Sequence, residues 1–258
     1  LLGGRLRTAI TGAAPIAPEI LEFFHAAGVP VYEGYGLTET LALATLNLPG
    51  ATKLGSIGRV DPGCEVRIAD DGEILIRGDN VFPGYWRNPD ATADALVDGW
   101  LQSGDLGSID NDGYVTITGR KKDIIITAGG KNLTPANLEN DLRQSPLISQ
   151  AVMHGDRRPY PVVLVTLDPE QVVPWAEAHG LPTDIGELSV HPQVRDAVKQ
   201  VIDAANQKYA QVAQVKKFAI IDHDFSIDTG ELTPTLKMKR NVINERYAPV
   251  FDRLYTEG

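Results

Sequence analysis

Cysteine is nearly absent from this chain. Cys64 stands alone, so no internal disulfide forms and a reducing, cytoplasmic setting is expected. No Cys/His cluster has the spacing of a zinc site. No apolar run approaches the ~20 residues that a membrane helix needs. The opening LLGGRLRTAITGAAP has no apolar core followed by a cleavage site, so it does not read as a signal peptide. Positive charge is in deficit as well. With 24 Lys and Arg against 34 Asp and Glu, the net charge of −10 argues against nucleic acid as the main partner. An anionic nucleotide held by local groups stays compatible with it. There is no internal repeat and no low-complexity tract. What is present is a chain of 258 residues, 43% hydrophobic, enough for one large globular domain or two modest ones.

The chain is organised around Gly119–Pro135, GRKKDIIITAGGKNLTP. A basic run leads into the apolar, strand-like Ile124–Thr127. Ala128, Gly129 and Gly130 then make a loop whose backbone reaches conformations closed to larger residues. Thr134 and Pro135 read as the cap and first position of a helix. Arg120–Lys122 reads as a seam between a nucleotide-handling scaffold upstream and a small separate module downstream.

Upstream, Leu6–Thr11 reads as a buried strand. Ile16–Ala27 reads as a helix, with Ile20, Phe23, Phe24 and Ala27 on one face and Gly28 as its stop. Val29–Tyr32 is a second strand. This β-α-β order implies a parallel sheet, whose ligands sit beyond the carboxyl ends of strands, where Gly12–Pro15 and Glu33–Glu39 fall. From Gly55 the pattern changes to hairpins. Glu65–Ile68 and Glu73–Arg77 flank Asp70-Asp71-Gly72, and Leu106–Ile109 and Tyr114–Thr118 flank Asn111-Asp112-Gly113. VFPGYWRNPDATADAL and DGWLQSGDLG read as loop-rich. After the seam come strand Asp123–Thr127, helix Pro135–Gln144, strands Gln150–His154 and Val162–Leu167, helices Pro169–Ala178 and Pro192–Ala210, strand Val215–Ile221 and a last helix Asn241–Tyr255. The expected fold class is α/β and α+β. Residues 1–121 would hold part of a parallel-sheet α/β layer, to about residue 54, and a small antiparallel β-barrel-like region over 55–121. Residues 122–258 would form a separate small α+β domain with one sheet.

Four further stretches could carry chemistry. In Tyr32–Glu39, YEGYGLTE, Gly36 permits close approach and Tyr35 offers a face for a flat ring. Thr38 could donate to a phosphate oxygen or cap a helix, and Glu39 could hold Mg²⁺ through oxygen. Thr11–Pro15, with Gly12, Ala13 and Ala14, is a small-residue turn where backbone could meet a base edge. In SGDLG, Asp105 lies between glycine-flanked turns, where one carboxylate can accept from two ribose hydroxyls or from its own backbone. Thr229–Arg240, TGELTPTLKMKR, is a loop ending in three close cations, of which Lys237 suits a transferring phosphoryl oxygen. A solvated basic helix start is the other reading of that run.

Taken in order, YGLTE, SGDLG, GRKKD and the final lysine loop resemble the acyl-adenylate-forming (AMP-binding) enzymes. GRKKDIIITAGGKNLTP and ELTPTLKMKR look most like long-chain fatty-acid CoA ligases. Leu236 stands where the family ending has Gly before the lysine. Arg240, three residues after Lys237, fits the family spacing and favours Lys237 over Lys239. The resemblance implies ATP-dependent conversion of a fatty acid to acyl-AMP, then thioester formation with CoA. By family position, Gly12, Ala13, Ala14 and Tyr35 would frame adenine, Gly36 would be among the cofactor-binding residues, Thr38 would frame the phosphates, and Glu39 would hold Mg²⁺. Asp105 and Arg120 would grip the ribose, and Lys237 would stabilise the first transition state. Lys122 would be the hinge, and Gly129 and Gly130 would leave a slot for pantetheine.

The family's Ser/Thr/Gly-rich phosphate loop ending in Pro-Lys-Gly is not found, and neither is the upstream acyl-binding half. The chain is therefore expected to be a piece that is inactive alone, with apolar surface over Leu6–Glu39 prone to self-association. Peripheral membrane contact is an expectation for the intact enzyme only. Two alternatives stay open: a fatty-acyl-AMP ligase that loads a carrier protein, and a nucleotide-binding piece without turnover.

Overall fold

The computed structural model describes residues 3–14, 16 and 18–256. Pro15 of the Thr11–Pro15 turn and Ala17 of the expected first helix lie outside the described residues. The chain divides into two compact units between Lys122 and Asp123.

In the first unit, strand Ala9–Thr11 pairs in parallel with Val31–Tyr35, and helix Pro18–Ala26 connects them. Thr45–Leu46 and Arg59–Val60 extend this sheet antiparallel. The helix turns Leu21 inward, while Ile20 and Phe23 stay 46% and 67% exposed. The stripe read from the sequence is thus rotated away from the sheet. His25 helps set that rotation, through a hydrogen bond of 2.8 Å with the carbonyl of Val31 and an edge-on contact with Tyr32.

Beyond Gly55 lies a five-stranded antiparallel sheet of Cys64–Ile68, Glu73–Gly78, Leu96–Val97, Trp100–Ile109 and Val115–Arg120. Both expected hairpins form. Among the described residues the sheet is open rather than a barrel, because Cys64–Ile68 pairs only with Glu73–Gly78. Its core is Ile74, Ile76, Leu101 and Val115, joined by Tyr35, Ala44 and Ile57.

Two stretches read as loop are regular. Pro89–Ala95 is a helix capped by Asn88, whose Oδ1 accepts from the Ala91 amide, with Pro89 at the first position. DGWLQSGDLG contributes to the ten-residue strand Trp100–Ile109. Gly99 closes the two-residue turn with Asp98 that leads into the strand, but Gly104 and Gly107 lie within the strand and are not turn ends. Between Gln102 and Leu106 the register slips against Glu73–Leu75, and Gly104 takes a φ of +71°, so the strand bulges.

In the second unit, Val162–Leu167 is the fully buried centre of a three-stranded sheet. It lies antiparallel to Ile148–His154 and parallel to Lys217–Ile221. One face packs Val194, Val198, Ile202 and Ala205 of helix Pro192–Asn206 with Leu138, Leu142 and Val172. The other packs Ile243, Tyr247 and Phe251. A second, two-stranded sheet of Ile125–Ile126 and Asn132–Leu133 was not expected. The expected last helix is two, Arg240–Arg246 and Ala248–Thr256. Pro249 has no amide hydrogen to continue the first, so the chain breaks and restarts at Tyr247.

Candidate functional site

The bulge in Trp100–Ile109 places Asp105. Ser103 Oγ donates to the Ile74 carbonyl at 2.6 Å, and the Gly104 amide donates to Glu73 Oε1 at 2.8 Å. Asp105 stands in register with Arg120, whose Nε is 2.8 Å from Oδ1. Tyr35 donates its hydroxyl to Oδ2 at 2.7 Å. Three residues from three strands thus meet at one buried carboxylate. Burial first, and the Asp105 charge second, push the Tyr35 hydroxyl well above its ordinary pKa, so it stays a donor. The Arg120 side chain is half exposed and lines an open concavity of about 390 Å³ with Ser103, Gly104, Lys121 and Lys122. The Tyr35 ring, which the sequence offers for stacking, is largely buried in the core of the unit.

Thr38–Thr40 forms a single turn of 3₁₀-helix. Leu37, not Thr38, is its cap, and Thr40 returns the bond by accepting from the Leu37 amide at 2.9 Å. This leaves Thr38 exposed. A Cβ at Gly36 would sit 2.4 Å from the Ala42 backbone, so only glycine fits there. Tyr85 donates to Glu39 Oε1 at 2.6 Å, and the Asn80 amide donates to the carbonyls of Thr40 and Leu43. Asn80 and Tyr85 are functional candidates the sequence reading missed; nothing in their local pattern signals the pairing. Glu33 was missed as well. Burial pushes its carboxyl up to about 7, opposed by the Ile16 amide. The Gly12–Ala14 turn is exposed, with Ala13 at a φ of +66°.

Lys121 is anchored in the first unit, 2.6 Å from Asp71 Oδ2 and 2.8 Å from Glu73 Oε2. Lys122 follows, exposed, its side chain without a hydrogen bond or ion pair among the described residues.

In the second unit, Gly129 and Gly130 form the exposed tip of the short hairpin. The lysine run is itself a hairpin. Leu232 bridges Met238, Thr233 donates its amide to the Lys237 carbonyl at 2.8 Å, and Thr233 Oγ1 accepts from the Lys237 amide at 3.0 Å. Pro234 enters the turn and Leu236 closes it in the left-handed region, φ +59°. This is the position where glycine is conformationally easiest. Met238 packs against the core while Lys237 and Lys239 remain exposed. Arg240 departs from the expected basic run: it is turned inward onto Glu139.

The sequence matches two family patterns, one described as AMP-binding enzyme, over residues 1–86, and one as AMP-binding enzyme C-terminal domain, over residues 122–258. A long-chain-fatty-acid–CoA ligase of Mycobacterium bovis, FadD15, is 45% identical over 99% of this chain and 43% of its own length. Among solved structures, o-succinylbenzoate CoA synthetase (MenE) of Bacillus subtilis aligns over 91% of this chain and 45% of that one. With its acyl-adenylate intermediate bound it gives a TM-score of 0.71 at 28% identity. With ATP and magnesium bound, at 46% of that chain, it gives 0.68 at 27%. The chain thus spans less than half the length of these relatives.

Proposed function

This chain belongs to the AMP-binding enzyme family, and we propose that it carries the ribose- and lysine-bearing part of a long-chain fatty-acid CoA ligase. The reaction has two halves. A fatty-acid carboxylate attacks the α-phosphorus of ATP, forming the acyl–phosphate bond of acyl-AMP and releasing pyrophosphate. The CoA thiol then gives up its proton and attacks the acyl carbonyl, and AMP leaves. One observation carries the reading: buried Asp105, held between Tyr35 and Arg120, beside an open concavity that Arg120 lines. Both carboxylate oxygens keep lone pairs beyond the bonds they accept, so a ribose seated past Arg120 would find acceptors fixed in advance once it reached the buried Asp105.

The remaining roles follow from chemistry and family position. Gly12–Ala14 would frame adenine, Gly36 would stand beside the cofactor, and exposed Thr38 would donate to phosphate. Tyr35, its ring in the core, would serve the site through its bond to Asp105. Glu39 offers a hard oxygen of the kind magnesium prefers, with Oε1 oriented by Tyr85. No cluster of three acidic, His or Cys ligands occurs among the described residues, so phosphates and water would complete the ion's shell. Bound there, the ion would screen phosphate charge. Lys237, exposed on its hairpin, would meet the charge that develops during adenylation. Lys122 would be the pivot between the two halves of the reaction, and the Gly129–Gly130 tip would leave room for pantetheine.

The test is a full-length enzyme carrying this chain, supplied with a long-chain fatty acid, ATP and magnesium, and either CoA or a carrier protein. Pyrophosphate release followed by acyl-CoA supports the ligase. Acyl-AMP that loads only the carrier protein overturns the CoA assignment. In the same enzyme Lys237→Ala should cut adenylation by on the order of 10²–10⁴ while sparing thioester formation from supplied acyl-AMP. A selective loss with Lys239→Ala instead would move the role to Lys239.

A further inference from the structure

We infer that Arg240 is a positioning residue that holds the Lys237 hairpin in place for adenylation. The inference rests on Lys237 being the adenylation lysine. Arg240 begins the helix that follows the hairpin directly. Its guanidinium is mostly buried and meets Glu139 bidentately, Nη1 to Oε1 at 2.9 Å and Nη2 to Oε2 at 2.8 Å. Glu139 is fixed in turn, because Oε1 accepts from the Met153 amide at 2.7 Å, inside the three-stranded sheet. Arg240 Nε lies 3.8 Å from Asp123, the first residue of this unit.

The other foot of the hairpin is held the same way. Glu231 is fully buried and accepts from Thr229, Arg246 and the Tyr247 hydroxyl. Its carbonyl accepts from the Lys239 amide at 2.7 Å. Residues 232–239 therefore stand between two ionic anchors, each on a buried carboxylate, with Lys237 exposed between them. Arg246, the partner of Glu231, is half exposed. A buried ion pair is weak evidence for stability, since apolar residues often serve as well. What a bidentate fork supplies is a fixed geometry that an ammonium does not reproduce. Through Asp123, the same guanidinium also reaches the residue next to Lys122.

The test uses the full-length enzyme with Arg240→Lys, which keeps the charge and loses the fork, and with Glu139→Gln. Each half-reaction is assayed separately, beside a thermal melt. Arg240→Lys is expected to lower kcat of adenylation by on the order of 10–100-fold, the cost of a misplacement of about 1 Å. KM for ATP and thioester formation from supplied acyl-AMP should stay within about 3-fold, and Glu139→Gln should reproduce the pattern. The Lys237→Ala, Arg240→Lys double variant should be no slower than Lys237→Ala alone, because Arg240 acts through Lys237. An additive loss in the double variant overturns the proposal. So do equal losses in both half-reactions with a lowered melt, or an unchanged adenylation rate. If Arg240→Lys fails to fold, Glu139→Gln decides by the same criteria. If Lys237→Ala itself adenylates normally, the reading of Lys237 falls first and this inference with it.

Discussion

Tyr85 donates its hydroxyl to the Glu39 carboxylate at 2.6 Å, across 46 positions of sequence. That bond, foremost among its surroundings, raises the Tyr85 hydroxyl above its ordinary pKa, so the phenol stays a donor at neutral pH. If Glu39 holds magnesium, Tyr85 decides which way its carboxylate faces. Tyr85→Phe is then expected to raise the magnesium needed for half-maximal adenylation by roughly 10-fold, as loss of an outer-shell partner does. A magnesium titration of pyrophosphate release measures it; an unchanged requirement would detach Glu39 from the metal.

Leu236 carries backbone strain in the open, 67% exposed at a φ of +59°. An L-residue there costs about 1–2 kcal/mol, while glycine adds about 0.4–1 kcal/mol of unfolded-chain freedom. Relief outweighs freedom, so Leu236→Gly should stabilise the second unit by about 0.5–1 kcal/mol. Urea unfolding of the two chains checks the sign. A destabilised variant would mean that the leucine side chain contributes more than its backbone costs.

Glu33 ties the first unit to pH. Its folded pKa of about 7 stands above the ordinary 4.5, so between those values the folded state binds the proton more tightly than the unfolded chain. Its contribution is fully present below pH 4.5 and is lost as pH rises through 7. The loss is on the order of 3 kcal/mol. Glu33→Gln should flatten that fall, and urea midpoints at the two ends of the window read it. Parallel curves for parent and variant would show that Glu33 titrates as an ordinary carboxyl.

Lys122 lies between two anchored neighbours, Lys121 on Asp71 and Glu73, and Asp123 near Arg240. A pivot must visit two backbone states, and proline, with φ near −65° and no donor, admits at most one. In a full-length enzyme Lys122→Pro is expected to keep adenylation and block thioester formation. Normal rates in both halves would remove Lys122 as the pivot. Equal losses with a lowered melt would make the stretch scaffold.

Much of this fold was legible because its signals are local. Asp71-Gly72 and Asn111-Asp112-Gly113 specify their hairpins, and Thr134-Pro135 starts its helix, through dihedral preferences that need no distant partner. The four-residue recurrence of Val194, Val198 and Ile202 marks a buried face for the same reason. Asn88-Pro89 was an equally local signal, obscured by the glycine and aromatics before it. For the site, sequence nominated Asp105, Arg120 and Lys237 one by one. Only the tertiary structure decided that a bulge, not a turn, aims Asp105 at Tyr35, 70 positions away. Only packing turned Arg240 from a run of surface cations onto Glu139, 101 positions away, and left Ile20 and Phe23 outside the sheet contact. Local propensity is set by each residue and its near neighbours. A charge or hydroxyl carries no mark of the distant partner that will satisfy it, so those pairings appear only once the strands and helices are in place.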